Sequence, residues 1–166
     1  EHRLTTRGAL GTIRSVASNG DGWFVTYLDE DNRLDPRWAL LGSAGQLVLA
    51  GSIDEPTSRG VVWDGGHYVF VGATRDDHLS LVRFDPAIGF VDRVRLDLSG
   101  TPCAGSDGAG SLLFAMDSEV VLVGSDGAIL ARQLLDRQVS TGCAVAHDAE
   151  GYVLLDGGEV LSRTRI

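Results

Sequence analysis

A tandem repeat is the feature of this 166-residue sequence that most restricts its fold. Four apolar runs, WFVTYL, HYVFVG, SLLFAM and GYVLLD, begin at Trp23, His67, Ser111 and Gly151, and are therefore spaced 44, 44 and 40 residues apart. Each run follows a turn rich in Gly and Asp, and each is followed by a second apolar segment. A fixed period of this length indicates one structural unit repeated along the chain.

Three glycines keep the same register as the apolar runs. In the first three units, the second apolar segment ends in a turn that places Gly45, Gly89 and Gly127 at matching positions. A glycine late in a short loop supplies the left-handed conformation that a hairpin with a bulge requires. Short apolar runs bounded by such turns are typical of β-strands, so each unit is predicted to contain four short strands joined by hairpins.

Four-stranded units of about 40 to 45 residues in tandem are typical of a β-propeller. The segment from Gly60 to Val94, GVVWDGGHYVFVGATRDDHLSLVRFDPAIGFVDRV, resembles the degenerate propeller repeats of secreted bacterial proteins. No Gly-His and Trp-Asp pair recurs, so no propeller subfamily is indicated. We expect an all-β fold, a small β-propeller of about four four-stranded blades, in one domain that covers residues 1–166.

The ends of the chain bear on how such a propeller is completed. The predicted blades cover residues 10–51, 58–98, 102–136 and 142–166. The last unit stops after its third strand, so Arg3–Thr6 is expected to supply the fourth and to close the ring, which would remove open sheet edges. The innermost strands are predicted at Ser15–Ser18, Gly60–Trp63, Cys103–Ser106 and Cys143–Ala146. Their small side chains fit a narrow axis, with Trp63 as the exception.

The only two cysteines, Cys103 and Cys143, occupy the same position in two consecutive units. Equivalent residues on neighbouring inner strands are expected to lie within the roughly 4.4–6.8 Å between Cα atoms that a disulfide spans. We predict a disulfide between the third and fourth blades in an oxidising compartment, with two buried free thiols as the alternative. Neither cysteine has a close cysteine neighbour, so a zinc site is not indicated.

Composition excludes some partners. The net charge of −9 disfavours nucleic acid and anionic membrane surfaces, and no apolar run approaches the roughly 18 residues of a membrane span. The loop LDEDNRLDP offers weak calcium candidates in Asp29, Asp31 and Asp35, but it does not match an EF-hand loop. A solvated charged loop is the preferred interpretation, and no cofactor is predicted.

Function is predicted from the fold class and not from a catalytic motif. The sequence contains no G-x-S-x-G or H-E-x-x-H motif, and its aromatic residues fall mostly at strand positions where packing between blades is expected. The leading hypothesis is a non-catalytic extracellular or cell-envelope module that binds a protein or a glycan. The chain starts at Glu1 without a signal segment, so we expect a processed protein or a piece of a longer one.

Two alternatives remain open at this stage. One is a hydrolase or lyase that acts on a glycan, with two carboxylates about 5–10 Å apart on one face of the ring. The other is a fragment or subunit of a larger propeller assembly, in contrast to a closed monomer.

Overall fold

The computed structural model describes residues 12–28, 36–52, 58–73, 78–157 and 159–164. All regular secondary structure in these ranges is β-strand, and no helix that could span a membrane occurs among them. The strands are β1 (Thr12–Ser18), β2 (Gly22–Leu28), β3 (Pro36–Gly42), β4 (Leu47–Ser52), β5 (Ser58–Trp63), β6 (Tyr68–Ala73), β7 (His78–Asp85), β8 (Gly89–Ser99), β9 (Cys103–Ser106), β10 (Ser111–Met116), β11 (Glu119–Gly124), β12 (Ile129–Leu134), β13 (Ala144–Asp148), β14 (Gly151–Asp156) and β15 (Glu159–Thr164).

The strands form four antiparallel sheets in chain order. Three sheets are four-stranded, β1–β4, β5–β8 and β9–β12, and the described part of the fourth is three-stranded, β13–β15. We refer to these sheets as blades 1 to 4. In each blade, strands that are consecutive in sequence pair with one another. The all-β, repeated, propeller-like architecture expected from the sequence is therefore confirmed.

A side-chain acceptor closes the first hairpin of every blade. The Oδ1 atoms of Asn19, Asp64, Asp107 and Asp148 each accept a hydrogen bond from the backbone N–H two residues further along the chain, at 2.7–3.0 Å. Asn and Asp stabilise turns in this way because their short side chains reach the backbone two residues on. The recurring Asn-or-Asp and Gly turns of the sequence are therefore hairpin turns.

The glycines that keep the repeat register have the backbone conformation predicted for them. Gly45, Gly89 and Gly127 have φ values of +79°, +89° and +86°, a left-handed region that L side chains rarely adopt. Gly45 and Gly127 lie two residues before the last strands of their blades, and Gly89 is the first residue of β8; each is near a break in the strand register. The glycines thus mark the hairpins that lead to the outer strands.

Blades 2 and 3 pack both of their faces against neighbouring blades, because alternate side chains of their strands point to opposite faces. On β6, Tyr68 and Phe70 pack toward blade 1, whereas Val69 and Val71 pack toward blade 3. Phe24 of blade 1 is fully buried and stacks 4.5 Å from the ring of Tyr68. Burial of one such side chain contributes about 1.5–3 kcal/mol. Three of the four core clusters among the described residues therefore lie between blades, and the fourth lies on blade 1.

The inner strands of successive blades are neighbours: β1 contacts β5, β5 contacts β9 and β9 contacts β13. This order places β1, β5, β9 and β13 together on the inner side of the assembly. The segment predicted to complete blade 4, Arg3–Thr6, lies outside the described residues, so closure of the ring and the blade boundaries stay predictions.

Candidate functional site

A disulfide joins the inner side of blades 3 and 4. Cys103 and Cys143 are bonded, with their Cα atoms 5.8 Å apart. The two inner strands approach so closely that a Cβ atom on Gly105 would lie 2.7 Å from the carbonyl oxygen of Val145. The disulfide expected from the repeat register is thus present at this blade junction.

Two open cavities lie along the inner strands, and residues from all four blades line each of them. Their volumes are about 350 Å³ and about 540 Å³, within the range of small-molecule sites. Four residues line both cavities, one from each inner strand: Val16, Val61, Ala104 and Val145. We call these apolar residues the waist residues, because they border both cavities.

The smaller cavity lies where the inner strands end, and we call it the Asp107 cavity. Its polar and aromatic lining comes from different blades: Ser18 from blade 1, Trp63 from blade 2, Asp107 from blade 3 and His147 from blade 4. The Trp63 ring rests against Tyr68 at 4.9 Å, and the His147 ring rests edge-on against Tyr152 at 4.8 Å. Blade packing therefore holds both rings in place at the cavity.

The carboxylate of Asp107 is fixed by the hairpin that it closes. Its Oδ1 accepts hydrogen bonds from the N–H groups of Ala109 at 2.7 Å and Ser111 at 2.9 Å. Partial burial acts to raise the pKa of Asp107, but the hydrogen bonds from Ser111 and Ala109, together with His147, lower it below its ordinary value. Asp107 therefore carries a fixed negative charge at neutral pH.

The larger cavity begins at the other end of the inner strands, and we call it the Arg14 cavity. Arg14 is its one charged side chain among the lining residues that the structure describes. Hydroxyl groups of Ser15, Thr101 and Thr141 and the disulfide also line it. The two cavities thus differ in the sign of the charge that they present.

The sequence did not predict that Trp63 and His147 would line the same cavity. Trp63 was treated as an exception among small side chains, and His147 lay one residue beyond the predicted inner strand of blade 4. A signal for both existed, because Trp63 and His147 are 84 residues apart, as are Tyr68 and Tyr152. Each pairs directly with one of these tyrosines in the sheet register.

The other candidates of the sequence analysis fall elsewhere. The calcium candidates Asp29, Asp31 and Asp35 lie outside the described residues. Among the residues that are described, no group of three or more His, Cys, Asp or Glu side chains has an arrangement suited to a metal ion. Trp38 packs in the core between blades 1 and 2, and Trp23 packs on the opposite face of blade 1.

No protein-family model matches this sequence, and no curated protein matches it. Solved structures do match the fold. The WD40 domain of Neurospora crassa Pan2 superposes with a TM-score of 0.56 and 11% identity, covering 88% of this chain and 44% of that domain. A protein of unknown function from Bacteroides caccae gives a TM-score of 0.51 and 12% identity, covering 92% of this chain and 60% of that one.

A third solved structure, apo AztD from Citrobacter koseri, gives a TM-score of 0.51 and 12% identity, covering 87% of this chain and 41% of that one. At such identities the likeness shows the fold alone, which is propeller-like. The chain spans between 41% and 60% of the length of these three structures.

Proposed function

We propose that this protein is a non-catalytic binding module whose ligand occupies the cavities along its inner strands. The observation that carries this proposal is the shared lining: all four blades contribute to each cavity, and the waist residues border both. A concave site built from several rigid elements holds its contact groups in place before the ligand arrives, which lowers the entropic cost of binding.

The charges of the cavities support binding over the glycan-acting alternative. That alternative requires two carboxylates about 5–10 Å apart, one of which must hold a proton. Asp107 is the only Asp or Glu among the described lining residues. Its lowered pKa and its hydrogen bonds to the hairpin suit a fixed acceptor and charge partner more than a proton donor.

The disulfide supports a location outside the cytoplasm. Bonds between cysteines persist in secreted and cell-envelope proteins, whereas cytosolic thiols are kept reduced. We therefore assign the module to an extracellular or cell-envelope setting, where its ligand is a small molecule, a glycan or a segment of protein. Intact mass measured on protein from its native compartment tests this assignment, because a reduced pair of cysteines there would contradict it.

A variant that fills the waist tests the binding proposal directly. Val16 lines both cavities and is 42% exposed, so Val16→Trp adds bulk toward the cavities at little expected cost to the fold. Leu49→Trp on the outer strand β4 is the matched control, because Leu49 is 44% exposed and lies away from both cavities. Thermal-shift screening of glycan, peptide and metabolite panels identifies binders of the wild-type protein.

Binders of the wild-type protein should lose at least tenfold in affinity with Val16→Trp and keep their affinity with Leu49→Trp. Equal affinities for both variants would contradict a site between the inner strands.

A subunit of a larger assembly is a second candidate, because the chain spans only 41% to 60% of the length of the three propeller-like structures that it resembles. Light scattering separates the candidates, since a monomer has a mass of 17.6 kDa and an assembly a multiple of it.

A further inference from the structure

Among the lining residues that the structure describes, the Asp107 cavity has one carboxylate and no arginine. Its described lining contains one carboxylate and one histidine, whereas the arginine of the inner strands, Arg14, lines only the other cavity. The whole chain carries a net charge of −9. A cleft of this sign in an acidic protein concentrates cations and raises their rate of arrival.

Trp63 adds an aromatic surface to the same cavity. The indole is half-buried, and its contact with Tyr68 at 4.9 Å fixes its position. The face of an indole ring attracts ammonium groups, and the attraction strengthens where water is partly excluded. Trp63 and Asp107 therefore favour the same kind of ligand group by two different mechanisms.

The hydroxyl groups of the cavity are already engaged in its hairpins. Ser18 Oγ donates to the carbonyl oxygen of Gly22 at 2.9 Å, and Ser106 Oγ accepts the N–H of Gly108 at 3.0 Å. A neutral sugar needs several donors and acceptors around its ring, and these hydroxyls have reduced capacity for that purpose. The strongest features of the cavity for a ligand are thus the Asp107 charge and the Trp63 ring, which both belong to its lining.

We propose that the Asp107 cavity binds a small organic cation, with an ammonium group held between the carboxylate of Asp107 and the indole face of Trp63. This inference rests on the proposed function, because it names the ligand class of one of the two cavities. The volume of about 350 Å³ accommodates a cation the size of choline or of a lysine side chain.

Calorimetric titration of the wild-type protein with three probes tests the charge requirement. The probes are choline, its neutral carbon isostere 3,3-dimethylbutan-1-ol, and n-butylammonium as a stand-in for a lysine side chain. Choline should bind at least about tenfold tighter than its isostere, since the two share shape and differ in charge. Equal affinities for choline and its isostere would overturn the proposal. A higher affinity for choline than for n-butylammonium would identify a quaternary ammonium, and the reverse a primary ammonium, as the preferred ligand group.

Two variants with matched controls test the residues. Asp107→Asn keeps the Oδ1 acceptor that closes the hairpin and removes only the charge. This variant should bind choline at least tenfold more weakly than the wild type. Asp126→Asn is its control, because Asp126 closes an exposed turn through Ala128 at 3.0 Å and lines neither cavity. Trp63→Leu should lower the affinity for choline severalfold. Unchanged affinity in Asp107→Asn would overturn the proposal.

The failure of this inference is distinguishable from that of the proposed function. If a glycan or peptide binds the wild-type protein and is lost in Val16→Trp while choline does not bind, the cation proposal is overturned and the binding module stands. If choline binds no tighter than its isostere and no panel member responds to Val16→Trp, both are overturned.

Discussion

Tyr68 and Tyr152 occupy equivalent positions of blades 2 and 4 and differ in their hydrogen bonds. Both are buried, with 1% and 4% of their surface exposed. The hydroxyl of Tyr152 donates to the carbonyl oxygen of Ser111 at 3.0 Å, whereas the hydroxyl of Tyr68 has no hydrogen-bond partner among the described residues. Removal of the hydroxyl by Tyr→Phe is therefore expected to have opposite effects at the two positions.

The sizes of the two effects follow from what each hydroxyl contacts. Tyr152→Phe removes one hydrogen bond, while the carbonyl of Ser111 keeps its bond from the N–H of Asp107 at 3.1 Å, so the expected loss is about 0.5–1.5 kcal/mol. Tyr68→Phe removes a buried hydroxyl that lost its hydration without gaining a partner, a cost of about 1–3 kcal/mol. Because the two effects have opposite signs, the free energies of unfolding of the two variants should differ by about 3 kcal/mol.

Urea unfolding followed by tryptophan fluorescence, with the disulfide intact, measures this difference. With a slope of about 2 kcal/mol per molar urea, the midpoint of Tyr68→Phe should lie about 1.5 M above that of Tyr152→Phe, with the wild type between them. Equal destabilisation of both variants would refute the reasoning, because it would mean that the Tyr68 hydroxyl gains as much from its surroundings as the Tyr152 hydroxyl does.

Three further predictions concern the junctions between blades. Reduction of Cys103–Cys143 should lower the free energy of unfolding by about 2–4 kcal/mol, because the bond closes a loop of about 40 residues in the unfolded chain. A urea midpoint that reductant leaves unchanged would contradict a stabilising role of the disulfide. Gly65→Ala should cost more than about 2 kcal/mol, because a Cβ at this residue of φ +101° would lie close against the carbonyl oxygen of Gly108. Gly20→Ala, with φ +92° and open space, should cost only about 1 kcal/mol, and equal melting temperatures of the two variants would contradict the close approach of blades 2 and 3. Burial raises the pKa of both Tyr68 and Tyr152, with nearby aspartates adding to the effect, so the stability they contribute is complete below about pH 10 and declines at higher pH. In chemical unfolding between pH 9 and about 11, the free energy of unfolding of the double Tyr→Phe variant should therefore fall less steeply than that of the wild type. An equal fall in the two proteins would contradict the raised pKa values.

The blades could be predicted from the sequence because their local chemistry repeats. A turn acceptor such as Asp64 or Asp107 and a left-handed glycine such as Gly89 act within a few residues, so each recurs visibly with the period. The disulfide also followed from the register, since equivalent positions on adjacent inner strands lie close together. The turns depend on local sequence alone, whereas the disulfide also required the expected side-by-side order of the inner strands.

The cavities could not be predicted in the same way. Their lining depends on how β1, β5, β9 and β13 approach one another and on which alternating side chains pack between blades. The sequence shows that Trp63 and His147 share a register, but not that Asp107 of a third blade lines the same cavity. Likewise, Tyr68 and Tyr152 occupy equivalent positions of the repeat, so the repeat alone predicts the same environment for both. Their hydrogen bonds differ because they depend on contacts that each hydroxyl makes in the folded protein.

The measurement that tests the binding site most directly is the set of intermolecular NOEs between a bound ligand and the methyl groups of the protein. The proposed site predicts contacts to methyl groups of the waist residues, one from each of the four inner strands. Contacts confined to outer-strand methyl groups, such as those of Leu47 on β4 or Leu130 on β12, would contradict it, because these side chains are exposed and lie outside both cavities.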